Sequence, residues 1–142
     1  MQFALFDSSI YISGIRTGDD AVLAQRRLLP DTLLWLSSVV LEELYAGALG
    51  RGRDSVGRLE HDFERAGRIL VPNLGDWTQT GRVLASVGSK YGHEKIGRGR
   101  LTNDALIAMS AARIGARVIT VNERDFRKLA EFRSFKWEVS VF

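Results

Sequence analysis

Four acidic residues, far apart along the chain, stand where a parallel α/β sheet would gather them. Asp7 directly follows an apolar run, Phe3 to Phe6. Glu43 lies one helical turn beyond a second run, Leu33 to Leu36. Asp104 opens an apolar helix, and Asp125 lies four residues after Val121, the end of a β-branched segment. Singly, each has an ordinary reading: a turn or cap at Asp7, a dipole-favoured first-turn acid at Asp104, a loop or cap residue at Asp125, a solvated helix acid at Glu43. Together they share one address, near strand ends. Crowded carboxylates repel, and not all of them ionise unaided. A hard divalent cation removes that conflict, because Mg²⁺ and Mn²⁺ take oxygen ligands. Such a cation also lowers the pKa of bound water and neutralises phosphate charge, the chemistry of phosphodiester hydrolysis.

Glu42 and Glu43 compete for one place in this scheme. Adjacent helical residues point about 100° apart, so both do not enter one small pocket. Glu42 borders the apolar stripe of Leu41, Leu44, Tyr45, Ala48 and Leu49, and Glu43 lies away from its centre. Helical spacing alone leaves the choice open.

The elements that must position these acids follow from patterning. Phe3–Phe6 reads as a buried strand, with Ser8 and Ser9 capping a helix over Ile10–Ile15. Gly18, Asp19 and Asp20 begin a second helix that Pro30 stops. Leu33–Leu36 reads as a strand, and Ser37 or Ser38 caps a helix from Val39 to Leu49, ended by Gly50 and Gly52. A charged helix over Asp54–Gly67 precedes a short strand, Ile69–Val71. Asp76–Tyr91 is helical and leads into a basic loop, Gly92–Arg100. Thr102 or Asn103 caps a nearly all-apolar helix to Ile114, a type usually buried. Strand Arg117–Val121, helix Arg124–Glu131 and edge strand Trp137–Phe142 complete the chain. Strands alternating with helices predict a parallel sheet covered on both faces, with sites beyond its carboxyl ends.

Composition narrows the function classes. A chain of 142 residues suits one domain. With no cysteine, disulfides, thiolate catalysis and cysteine-based zinc sites are excluded, and a reducing cytoplasm fits. The N-terminus lacks a basic region and Asp7 interrupts its apolar run, unlike a signal peptide; no apolar stretch is long enough to span a membrane. The formal net charge is +3; with four of the 17 acids committed to a cation, 20 basic groups would face 13 acids, a surface suited to a polyanion. Lys90, Lys95, Arg98 and Arg100, whose loop leads to Asp104, are candidates to guide phosphates. Arg51, Arg53, Arg58, Arg65 and Arg68 read as a solvated face, His61 and His93 as exposed, and Trp35, Trp77 and Trp137 as core.

Four blocks resemble the PIN-domain nucleases, especially the VapC-type toxins of bacterial toxin–antitoxin pairs. Leu5-Phe6-Asp7-Ser8-Ser9-Ile10-Tyr11-Ile12 is similar to the family's first strand, acid and hydroxyl pair, with Ser8 where threonine is frequent. Ser37-Ser38-Val39-Val40-Leu41-Glu42-Glu43-Leu44-Tyr45-Ala46-Gly47 resembles its Glu-Leu-x-x-Gly signature and thereby selects Glu43. Asn103-Asp104-Ala105-Leu106-Ile107-Ala108 resembles its Asp-x-x-Ile-Ala helix start, and Val118 to Phe126 its Thr-x-Asn-x-x-Asp-Phe ending. The blocks fall in family order across nearly the whole chain.

The resemblance implies a single PIN-like domain over residues 1–142, an α/β/α sandwich with a mostly parallel central sheet. It implies a Mg²⁺- or Mn²⁺-dependent endoribonuclease in which Asp7, Glu43, Asp104 and Asp125 hold metal directly or through water. Ser9, Thr120 and Asn122 would support them by hydrogen bonding. It further implies a homodimer neutralised by a small VapB-like antitoxin. A nuclease of the same fold acting in RNA maturation or on DNA is one rival reading, and a silent nucleic-acid-binding regulator another; the presence of all four acids argues against the regulator.

Overall fold

The apolar runs become strands, with ends one or two residues from the hydrophobic limits. The computed structural model describes residues 1–17, 30–48, 50–93 and 100–140. The strands are β1 (Gln2–Phe6), β2 (Thr32–Ser37), β3 (Ile69–Leu70), β4 (Ala116–Thr120) and β5 (Trp137–Val139). They form one sheet in the order β3-β2-β1-β4-β5, and every pairing is parallel. The helices are α1 (Ser8–Thr17), α2 (Ser38–Gly47), α3 (Arg51–Arg65), α4 (Leu74–Tyr91), α5 (Arg100–Ile114) and α6 (Glu123–Ala130).

Ala4, Leu5 and Phe6 of β1 and Val118 and Ile119 of β4 are each 3% exposed or less. Successive residues of a strand face opposite sides, so both faces of the sheet centre are covered, as in an α/β/α sandwich. β1 lies at the middle. The chain builds outward through β2 and β3 on one side, then returns to β4 and β5 on the other. The strand order therefore reverses between β1 and β4, and the crevice beyond their carboxyl ends is where such sheets bind ligands. α5 packs against α4, α2, α6, β1 and β4, burying Leu101, Ala105 to Met109 and Ala111. That packing carries Asp104 into the interior beside the crevice.

Several boundaries differ from the sequence expectation. α1 begins at Ser8, so Ser8 and Ser9 lie inside it rather than capping it. Ser37 caps α2, accepting from the Val39 backbone N–H at 3.2 Å. α2 ends at Gly47 and Gly52 lies within α3, because Gly50 already serves as that helix's N-cap. α5 starts at Arg100, so neither Thr102 nor Asn103 caps it and Asp104 falls in its second turn, past the strongest reach of the helix dipole. Gly115, at φ 70°, makes the tight turn from α5 into β4 in a conformation glycine alone adopts at no steric cost. Trp77 is 54% exposed rather than core: it sits in the first turn of α4, near edge strand β3, with exposed Val71 and Leu74. Trp35 and Trp137 are half-buried against the core. His61 and His93 are exposed. The helix expected between Gly18 and Leu29, and Phe142 at the expected end of β5, lie outside the described residues.

Candidate active site

Asp7 follows the last residue of β1, and its backbone N–H continues the ladder to the Ile119 carbonyl at 2.9 Å. The side chain is buried at 3% exposure, so its charge needs donors. Ser8 gives its backbone N–H to Oδ1 at 2.8 Å, Ser9 Oγ donates to Oδ2 at 3.0 Å, and Thr120 Oγ1 donates to the same oxygen at 2.8 Å. The start of α1 and the end of β4 thus hold Asp7 across the strand-order reversal. Thr120 Oγ1 also accepts the Asn122 backbone N–H at 2.9 Å, which fixes the turn into α6.

Asn122 caps α6, its side chain accepting from the Asp125 backbone N–H at 3.4 Å. Its amide Nδ2 donates to Asp125 Oδ2 at 3.0 Å and to Asp104 Oδ2 at 3.3 Å. One neutral amide therefore bridges two carboxylates. A continuous chain of contacts runs Asp7–Thr120–Asn122–Asp104, with Asp125 joined at the amide.

Glu43 approaches from α2. Its carboxylate Oε1 is buried without a hydrogen-bond partner. Burial holds its pKa above the usual carboxylate value, and the negative charge of Asp7 adds to the rise; hydrogen bonding by Ser8 and Asn103 pulls the other way, and the nearby charge of Glu42 raises it further. Glu42 is exposed and takes a hydrogen bond from Asn103 Nδ2 at 3.1 Å. The choice that helical spacing left open is thus drawn by the packing: Glu43 faces Asp7 and Glu42 faces outward.

The four acids share one rim but do not close into a cage. Among the described residues, no three acidic or histidine side chains form a group able to hold a metal ion as they stand. Hydroxyl and backbone donors hold Asp7, and the one Asn122 amide serves both Asp104 and Asp125, which lessens the repulsion among them. The orphaned oxygen of Glu43 is the place where that compensation stops, and oxygen ligands of this kind suit a hard divalent cation.

Ser8 and Asn103 take part in the site although spacing gave them other roles. Each adjoins a predicted acid, Asp7 and Asp104, and that adjacency is the signal that could have found them. Lys95 and Arg98 lie outside the described residues; Arg100 begins α5, and its side chain is outside them too.

The sequence pattern of the PIN domain matches residues 4–132. The chain belongs to the PIN-domain family. The family is one of nucleases, and nuclease is the activity class that this membership supports. Solved structures share the fold. A chain of DNA-bound VapBC from Salmonella typhimurium superposes with a TM-score of 0.70 at 22% identity, covering 98% of each chain. A chain of VapBC2 from Rickettsia felis, bound to a promoter DNA fragment, gives 0.69 at 21% identity, covering 98% of this chain and 99% of that one. A chain of VapBC-1 from nontypeable Haemophilus influenzae gives 0.65 at 22%, covering 97% and 98%. No curated protein matches by sequence. No helix among the described residues is long and apolar enough to cross a membrane.

Proposed function

We propose that the chain, acting as a single PIN-like unit, is a Mg²⁺- or Mn²⁺-dependent endoribonuclease and the toxin of a VapBC-type pair. One observation carries the cation dependence: a buried, unpartnered carboxylate oxygen on Glu43 beside a second buried carboxylate, Asp7. A buried carboxylate oxygen without a donor favours a proton or a nearby cation. Asp7, Glu43, Asp104 and Asp125 would hold the cation directly or through water. When bound, it supplies charge neutralisation for the phosphate and a more acidic water.

The protein's own groups have definable tasks. Ser9 and Thr120 fix the direction of the Asp7 lone pairs, leaving the carboxylate preorganised rather than free to rotate. Asn122 holds Asp104 and Asp125 at one spacing. Asn103 occupies Glu42 and so keeps the neighbouring acid turned away from the rim. The fold likeness to chains of VapBC structures supports a VapB-like antitoxin as partner. The same reading includes a homodimer and a cytoplasmic location.

Expression of the chain alone should arrest growth, and co-expression of the neighbouring small gene should restore it. Purified protein should bind Mn²⁺ in calorimetry, with Glu43→Gln weakening that binding about tenfold or more. Harmless expression of a protein that cleaves RNA would remove the toxin role and leave the nuclease. Undiminished Mn²⁺ binding by Glu43→Gln would remove Glu43 from the site.

A further inference from the structure

A second asparagine stands on the α2 side of the rim. Asn103 Nδ2 of α5 donates to Glu42 Oε2 of α2 at 3.1 Å, joining residues 61 positions apart. The same side chain is a hydrogen-bonding neighbour of Glu43, whose charged form it favours together with Ser8. Asn103 thus serves two adjacent acids of α2, as Asn122 serves Asp104 and Asp125. Asn103 is half-buried and Glu42 exposed, so the contact lies at the outer edge of the rim.

Helix geometry makes this contact a clasp. Successive helical residues point about 100° apart. On α5, Asn103 reaches Glu42 while Asp104 is buried and takes the Asn122 amide. On α2, Glu42 meets Asn103 while Glu43 feels the charge of Asp7. Each helix therefore gives an outer residue to the clasp and an inner acid to the rim. Asp7, Asp104 and Asp125 are linked through Thr120 and Asn122. Glu43 stands outside that chain, on a different helix, with Oε1 unpartnered. α2 is also tied to α3, where Tyr45 donates to Glu60. That second bond involves no acid of the rim, so a contact that merely steadies α2 can be told from one that places Glu43.

We propose that Asn103 is a positioning residue for the cation: through Glu42 it fixes α2 against α5, and so holds Glu43 at one separation from Asp104. Glu42 is its anchor rather than a ligand. Without the clasp, α2 keeps its packing on α1, α3 and β2, but Glu43 loses its fixed place opposite the acids of the β1–β4 side. Groups already in place give up less on binding than groups that must be ordered, so the loss falls on cation affinity. This rests on the cation-dependent reading of the rim and adds to it a residue that acts through another.

The test is Mn²⁺ binding to the intact, metal-stripped protein by isothermal calorimetry, with no RNA present. Asn103→Leu should raise Kd about tenfold, the low end of the cost of losing a group that orients a metal ligand. Glu42→Leu should raise it about fivefold, through the lost hydrogen bond. Glu42→Gln is equally uncharged but keeps an oxygen to accept from Asn103, and should stay within about twofold of wild type. Asn103→Leu combined with Glu42→Leu should bind no more weakly than Asn103→Leu alone, since the two residues act as one unit. Tyr45→Phe breaks the bond to α3 and should leave Kd unchanged. Wild-type Kd in both Asn103→Leu and Glu42→Leu would overturn the clasp. So would equal Kd for Glu42→Leu and Glu42→Gln, which would make Glu42 act through its charge. An equal loss in Tyr45→Phe would also overturn it, by making the effect one of general support for α2. If Asn103→Leu does not fold, the comparison of Glu42→Leu with Glu42→Gln, at an exposed position, decides alone. A separate cleavage assay keeps the readings apart. If wild type binds Mn²⁺ and cuts RNA while the variants match it, the clasp fails and the nuclease stands; if wild type binds no Mn²⁺, both fail.

Discussion

The two sides of the rim are built differently. On the β1–β4 side, Asp7 is held by Ser8, Ser9 and Thr120, and Asn122 ties Asp104 to Asp125. On the α2 side, Glu43 carries a buried oxygen with no hydrogen-bond partner. The first side is preorganised by neutral donors and stays in shape without a cation. The second is incomplete until a proton or a cation arrives. A site of this kind can fold before loading and respond to loading through one residue.

The largest expected effect comes from the acids themselves. Asp7→Asn or Asp104→Asn should lower RNA hydrolysis by roughly a hundredfold to a thousandfold, since cation stabilisation of phosphate charge is worth several kcal/mol. Circular dichroism should remain native for both. Full activity of either variant would break the comparison at its stronger side.

Next in size is the support of Asp7. Thr120→Val removes the hydroxyl that donates to Asp7 and accepts from the Asn122 backbone. Activity should fall about 10- to 100-fold. Stability should fall by about 1–3 kcal/mol, because a polar group loses its partner. Thr120→Ser should recover most of both losses. Equal behaviour of the valine and serine variants would show that bulk, rather than the hydroxyl, matters there.

The two glutamates sharpen the α2 side. Glu43→Gln should lose at least tenfold more activity than Glu42→Gln, whose carboxylate faces outward toward Asn103. Comparable losses would mean that the helix presents both acids to the substrate.

The smallest effect is one of stability against pH in metal-free protein. Glu43 has its pKa raised above 4.5, chiefly by burial and then by Asp7. Between 4.5 and the raised value, the native state holds more proton than the unfolded chain, so stability falls as pH rises. The contribution is complete below 4.5 and lost as pH climbs through the raised value. Glu43→Gln should therefore be at least as stable as wild type at neutral pH in EDTA, with its advantage shrinking in acid. A chemical denaturation series against pH measures this; a variant less stable than wild type at neutral pH would contradict the sign.

Much of this architecture was legible in the sequence because it rests on short-range patterning. Phe3–Phe6 and Leu33–Leu36 are apolar runs that a parallel sheet buries on both faces, and Gly115 marks its turn by composition. The addresses of Asp7 and Asp125 followed from strand ends. Glu43 did not follow from periodicity, since the inward face of α2 is decided by its packing against α1, α3, α5 and β2 rather than by its own apolar stripe; family likeness supplied it. The start of α5 was not legible, because Thr102 and Asn103 are good caps locally while tertiary packing extends the helix back to Arg100. Nor was the exposure of Trp77, which depends on tertiary packing rather than on residue type. The Asn122 bridge between two carboxylates joins residues 18 positions apart and has no sequence signature.

Protein stripped with EDTA, then titrated with Mg²⁺ or Mn²⁺ against a labelled RNA, gives the most direct measurement of the rim. Cleavage should be absent without the cation, return on its addition, and stay absent in natively folded Asp104→Asn at any cation concentration. Undiminished cleavage in EDTA, or full cation-dependent activity of Asp104→Asn, would contradict a carboxylate-held cation as the centre of this enzyme.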